Sequence, residues 1–154
     1  WHSAVNMVAE HPVFGVGLDN FLYAYRGRYI LDAAWQEPNL SHPHNILLDF
    51  ATRLGLVGVA AGGWLIWQAV AALRVALERR SVEWLPVAAG LAGGLAAMLA
   101  HGLVDHSFFL VDLAYVFYLI LGVGLALAET GSADDESPAP WCCEPRLPVS
   151  VLSQ

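Results

Sequence analysis

The segment Ser41-His42-Pro43-His44-Asn45 sets two histidines one residue apart, and an apolar run begins at Ile46. A neutral imidazole accepts a proton near physiological pH, which few other side chains do without tuning. His44, at the mouth of a lipid-embedded helix, is therefore placed for general-base work on a substrate with one end in the bilayer and one in water. The plain alternative is a histidine at a helix N-terminus, with Asn45 as the cap. His42 and His44 also form an HxH pair, but no clear third and fourth ligand accompanies them, so no metal is expected. A second cluster is Asp105, His106 and Asp112. Charge at the end of a span can simply mark the water boundary. Asp112 lies four residues into an apolar run, however, and His101 is deeper; ionisable groups at such depth face a cavity or a partner. Arg26, Arg28 and Arg53 form the third group, because a guanidinium presents a fork of donors that matches phosphate oxygens. Attraction to lipid headgroups is the alternative.

These residues must be positioned by a membrane protein. Of 154 residues 57% are hydrophobic and only 14% charged, against about 25% for an ordinary soluble domain. The mean hydropathy is +0.53. Three apolar blocks reach the length that a hydrocarbon core of roughly 30 Å requires: residues 54–73, 84–104 and 108–127. Asp49 and Arg53 stand one helical turn apart before the first and can pair. Gly58 with Gly62, and Gly90 with Gly94, repeat at the spacing that lets helix backbones approach in lipid. The expected fold is all-α: a fragment of a polytopic helical bundle, with a non-membrane segment at 1–45, three spans within 46–128, and a disordered tail at 129–154.

Within 1–45, apolar Trp1, Ala4, Val5 and Val8 have the spacing of one helical face, and Pro12 ends that helix near His11. Residues 13–20 read as a bent loop. It lacks the third glycine of a dinucleotide fingerprint, since Asn20 stands there. Residues 21–30 read as a short amphipathic helix at the interface, and 31–43 as loop. Tyr23, Tyr25, Tyr29 and Trp35 are expected as interfacial aromatics, with sugar stacking as the sharper alternative. Charge excludes one class of partner: the net charge is -7 and all basic residues are arginine, with no basic stripe for nucleic acid.

Arg74, Arg79 and Arg80 fall between the first two spans, so this short loop is expected in the cytoplasm. Residues 1–45 and the turn at Asp105 then open on the opposite, extracytoplasmic face. The tail, with the adjacent Cys142 and Cys143 as free thiols, is expected inside. The chain reads as a segment of a larger membrane protein.

Three stretches, in order, resemble the O-antigen ligase and polymerase superfamily of bacterial membrane proteins. His44-Asn45, nine residues, Gly55, two residues and Gly58 match the ligase signature at each fixed position. Glu10-His11-Pro12-Val13-Phe14-Gly15-Val16-Gly17-Leu18-Asp19-Asn20-Phe21 is similar to the family's glycine loop. His101-Gly102-Leu103-Val104-Asp105 with Asp112-Leu113-Ala114 is similar to a late-span segment. The likeness covers roughly residues 1–127 and points to the C-terminal part of the family. It implies a multi-pass protein of the bacterial inner membrane that transfers a glycan from an undecaprenyl-pyrophosphate donor to an acceptor hydroxyl on lipid A core, glycan or protein. No cofactor or metal is implied. On that reading His44 is the base, and Asp105 or Asp112 orients it. Arg26, Arg28, Arg53, His42, Asn45 and Asp112 contact substrate, and the fragment alone is expected to be inactive. The competing expectation is a transporter or flippase-like protein with an ionisable path through Asp105, Asp112 and His101.

Overall fold

The computed structural model describes residues 1–78, 83–105 and 108–133. Arg79, Arg80, His106, Cys142, Cys143 and the tail from 134 onward lie outside the described residues. Those that are described form helices and connecting turns, with no strand among them: α1 (His2–Glu10), α2 (Phe21–Ala24), α3 (Ile46–Glu78), α4 (Leu85–Gly102) and α5 (Val111–Ala133). A π-type turn, Tyr25–Tyr29, extends α2, and a 3-10 turn covers Asp32–Ala34. Three helices are long and apolar enough to cross a membrane: α3, α4 and the Val111–Glu129 part of α5. The protein is a membrane protein with two cores.

The larger core joins α3, α4 and α5 through Phe50, Leu73, Leu95, Met98, Phe117 and Ile120. Phe50 meets Phe108 and Phe109 at ring distances of 4.9 and 4.7 Å, tilted as aromatic quadrupoles prefer. The smaller core, in a headpiece formed by residues 1–45, packs Ala4, Met7, Phe21, Tyr25 and Tyr29, with Leu48 reaching in from α3.

α3 is two helices joined at a break. Gly55 has φ 68° and ψ -161°, a backbone that L side chains rarely adopt. The bend is sharp enough that a Cβ on Gly62 would stand 2.6 Å from the Phe50 ring; in a straight helix those positions would be about 18 Å apart. A break strands carbonyls on one side and N–H groups on the other, and the glycine loop satisfies both sets. Val16 and Gly17 donate their N–H groups to the carbonyls of Thr52 and Arg53 (2.7 and 3.1 Å). The N–H groups of Leu56 and Val57 donate to the carbonyls of Pro12 and Val13 (2.8 and 3.3 Å). A Cβ on Gly15 would collide with the Thr52 carbonyl, and one on Gly55 with that of Val13. The glycine loop and the Gly55 of the signature are thus two halves of one backbone joint.

Several sequence expectations change here. The first apolar helix begins at Ile46 rather than 54, because Asn45 caps it; the last begins at Val111 rather than 108, because Phe108 and Phe109 turn inward onto Phe50. Residues 129–133 continue α5 instead of opening a tail. α1 buries Ser3, Ala4 and Met7, while Trp1 and Val5 are exposed, since the headpiece core lies on the neighbouring face. Tyr25 and Tyr29 are buried in that core rather than interfacial; Tyr23 and Trp35 are exposed. Gly58 and Gly62 make room for Leu54 and Phe50 of α3 itself; a Cβ on Gly94 would stand 3.7 Å from Ile120 of α5, and one on Gly90 would meet open space.

Candidate functional site

His44 occupies the turn between Pro43 and α3. Its φ is 50°, and it is the only non-glycine residue with positive φ among those described. That left-handed conformation costs about 1–2 kcal/mol, and such outliers gather at functional sites. It turns the imidazole toward the end of α4, where His44 Nδ1 lies 2.8 Å from Asp105 Oδ1. His42 Nε2 stands 3.5 Å from the same oxygen, and His101 Nε2 is 3.8 Å from Asp105 Oδ2. The His42 and His44 rings are 4.3 Å apart. Both partners of the shortest contact are about half exposed, so the cluster opens to water.

Asn45 registers the two elements. Its Oδ1 accepts the N–H groups of Leu47 and Leu48, both at 3.1 Å, which is the N-cap expected from sequence. Its Nδ2 donates to the Leu103 carbonyl at 3.1 Å, two residues before Asp105. One side chain therefore starts α3 and fastens it to the end of α4.

Arg53 and Asp49 form the expected i,i+4 pair, 2.6 Å apart and buried. The remaining guanidinium donors go to the Leu18 carbonyl and to the Ser41 carbonyl (3.3 Å). Asp19 lies 3.7 Å away, and the Phe109 ring is 5.1 Å below. All of these partners are protein atoms. Arg26 donates from Nε to the Pro38 carbonyl at 2.8 Å, and Arg28 pairs with Glu10 at 2.8 Å; both are exposed, and neither contacts His44 or Asp105. Asp112 sits exposed in the first turn of α5.

Tyr29 donates its hydroxyl to Glu10 Oε2 at 2.7 Å. That bond, then burial, then the Glu10 charge hold the phenol above its usual pKa, with Arg28 pulling the other way.

Of the residues singled out in sequence, the structure brings together His42, His44, Asn45 and Asp105. It leaves Arg26, Arg28 and Asp112 apart from them. Ser41 was passed over as a site residue; its hydroxyl lies 2.9 Å from His42 Nδ1. Its signal was adjacency to an HxH pair. His101, expected to face a cavity or a partner, has a carboxylate partner one turn further along its own segment.

The family model for O-Antigen ligase matches residues 1–62. The match takes in the glycine loop and the His44–Gly58 signature. It lies at the N-terminal end of the chain, so the likeness expected to run to residue 127 is met over the first 62 residues, and the His101–Ala114 stretch falls beyond it. No curated protein matches the chain.

Proposed function

We propose that this chain, an O-antigen ligase-family protein over its first 62 residues, transfers a glycan from an undecaprenyl-pyrophosphate carrier to an acceptor hydroxyl, with His44 as general base. The family as a whole comprises membrane enzymes of the glycan ligase and polymerase type, acting between lipid-linked glycans and acceptors. The observation that carries the finer reading is the 2.8 Å contact between His44 Nδ1 and Asp105 Oδ1 across 61 positions of sequence. A carboxylate only accepts, so Nδ1 carries the proton and Nε2 offers its lone pair. Asp105 then orients the ring and stabilises the imidazolium that forms.

In the proposed step the acceptor hydroxyl gives its proton to His44 Nε2 as its oxygen attacks the anomeric carbon. The bond from that carbon to the phosphate oxygen breaks, and its electron pair leaves on the lipid pyrophosphate. Attack from the opposite face inverts the centre. Charge developing on the pyrophosphate needs donors in a water-poor site, and Arg26 and Arg28 on the headpiece are proposed for that side. The step needs neither nucleotide nor metal. His42 and Asn45 shape the base's surroundings, and Arg53 holds the headpiece in place. An apolar groove of about 350 Å³ lined by Ile46, Phe50, Val59, Ile66, Leu99 and Leu103 starts beside this site. That suits a carrier whose tail lies in the bilayer.

Contact between His44 and Asp105 requires both to open on one membrane face. With the arginine-bearing connection after α3 on the cytoplasmic side, that face is the outer face of the inner membrane. Residues 1–45 are then extracytoplasmic, three spans follow, and the residues after α5 are cytoplasmic.

The test is His44→Ala in the full-length protein, reconstituted with lipid-linked glycan and acceptor. Transfer falls about 10²–10⁴-fold while membrane insertion persists; near-normal transfer removes the base assignment. Deleting the gene and scoring loss of long glycan, of glycan on lipid A, or of glycan on protein identifies the acceptor.

A further inference from the structure

The His44 cluster has a second chemical capacity. One ligand atom each from His42, His44 and Asp105 lie within 4.8 Å of one another. A tetrahedral site with bonds of about 2.0–2.1 Å sets its ligand atoms roughly 3.3 Å apart. His42 Nε2 and Asp105 Oδ1, at 3.5 Å, already have that separation. His44 Nδ1 and the same oxygen, at 2.8 Å, need to open by about half an ångström, which is the change expected when an ion replaces the bridging proton.

The surroundings add an independent feature. Metal-bound histidines donate their other ring N–H to a fixed acceptor, which sets the tautomer. Ser41 Oγ lies 2.9 Å from His42 Nδ1; when the hydroxyl accepts that N–H, Nε2 presents its lone pair toward Asp105. His101 Nε2 stands 3.8 Å from the second carboxylate oxygen, within reach of a fourth position. Two imidazoles and one carboxylate suit zinc-class ions rather than magnesium or calcium, which take oxygen ligands.

We propose that His42, His44 and Asp105 bind one divalent transition ion of the zinc class, and that the bound ion inhibits transfer. An ion on His44 Nδ1 occupies that nitrogen's lone pair and takes the carboxylate as a ligand, so the ring proton moves from Nδ1 to Nε2 and the lone pair that would accept the hydroxyl proton is no longer there. The binding half stands on geometry alone; the inhibitory half rests on the transfer reading.

The experiment uses full-length protein in nanodiscs, titrated with Co²⁺ and followed by its visible absorption, with Zn²⁺ as competitor and Mg²⁺ as control. One Co²⁺ per chain is expected, with tetrahedral bands that Zn²⁺ abolishes and Mg²⁺ leaves. Ser41→Ala weakens binding roughly 10-fold and His42→Ala at least 10- to 100-fold; Asp105→Asn, a change of similar volume, weakens it comparably. Absence of stoichiometric binding by the folded wild-type protein overturns the site, as does full Co²⁺ affinity in both His42→Ala and Asp105→Asn. Stoichiometric binding with transfer unchanged at saturating Zn²⁺ overturns the inhibition while leaving the site. A protein that binds Co²⁺ as expected, yet transfers no glycan when stripped of metal, supports the site and counts against the transfer reading.

Discussion

The headpiece and the helical bundle are held together by different forces, and the candidate site lies on their seam. The bundle is aromatic and aliphatic packing among Phe50, Phe108, Phe117, Leu95 and Ile120. The headpiece has a small core that Leu48 of α3 enters, and its attachment to the bundle adds polar ties to the packing of α1 on α3. It rests on four backbone hydrogen bonds at the Gly55 break and on a buried arginine that reaches Leu18, Asp19 and Ser41. Non-directional burial secures the bundle, whereas directional bonds fix the angle at which His44 arrives. The bundle carries Asp105 and the tied-down headpiece carries His44, so the 2.8 Å contact between them depends on the ties.

The largest effect on stability is expected from Arg53→Met. Arg53→Met removes the cation from a buried pair, a change that costs about 3–5 kcal/mol. Limited proteolysis should cut residues 1–45 much faster while helical circular dichroism from the bundle persists. Equal protection in variant and wild type would mean that the ties are not what holds the headpiece.

Gly55→Ala comes next. It forces a side chain into the left-handed region and against the Val13 carbonyl, costing about 2 kcal/mol or more. The thermal midpoint in detergent should fall, and Gly15→Ala should resemble it, because both glycines serve one joint. An effect at only one of them would separate the loop from the break.

Asn45→Ala should cost about 1 kcal/mol through the lost cap and lower transfer further by loosening the tie to Leu103. Asn45→Asp sharpens the comparison, since it keeps the cap oxygen and loses the donor to Leu103. It should hold the helix's stability while still lowering transfer; full transfer would show that the tie does not register the site.

The smallest effect concerns pH. The Tyr29 phenol is held above its ordinary value of 10.0, so its contribution is complete below about pH 10 and is lost as pH rises through the higher folded value. Tyr29→Phe should flatten that alkaline loss of headpiece stability, measured by proteolysis from about pH 9 to about pH 12, across the phenol range. An unchanged alkaline profile would assign the loss to other groups.

Much of the bundle was legible because hydropathy reports lipid-spanning helices directly, and local spacing reported the Asp49–Arg53 pair and the Asn45 cap. His44 stood out through residue type and signature spacing. The break in α3 did not, because the groups that heal it are main-chain N–H and C=O, which leave no mark on residue identity beyond Gly15, Gly17 and Gly55. The buried face of α1 was legible only in part, for a related reason: Ala4 is buried as its spacing implies, but which neighbouring positions are covered depends on the partner, and here Met7 joins Ala4 against Phe21, Tyr25 and Tyr29 while Trp1 and Val5 stay exposed. Sequence offered Asp105 and Asp112 alike as partners of His44, because which of them meets it depends on how the spans pack. Arg26 and Arg28 stood out as guanidinium groups, and their protein partners, Pro38 and Glu10, are not visible in spacing.

The most direct test of the central claim is a double-mutant cycle on transfer, comparing His44→Ala, Asp105→Asn and the double variant in reconstituted full-length protein. If the two residues act as one base, Asp105→Asn is slow, His44→Ala is slower, and the double variant is no slower than His44→Ala alone. Losses that multiply in the double variant, or normal transfer in either single one, would contradict the pairing from which the account is built.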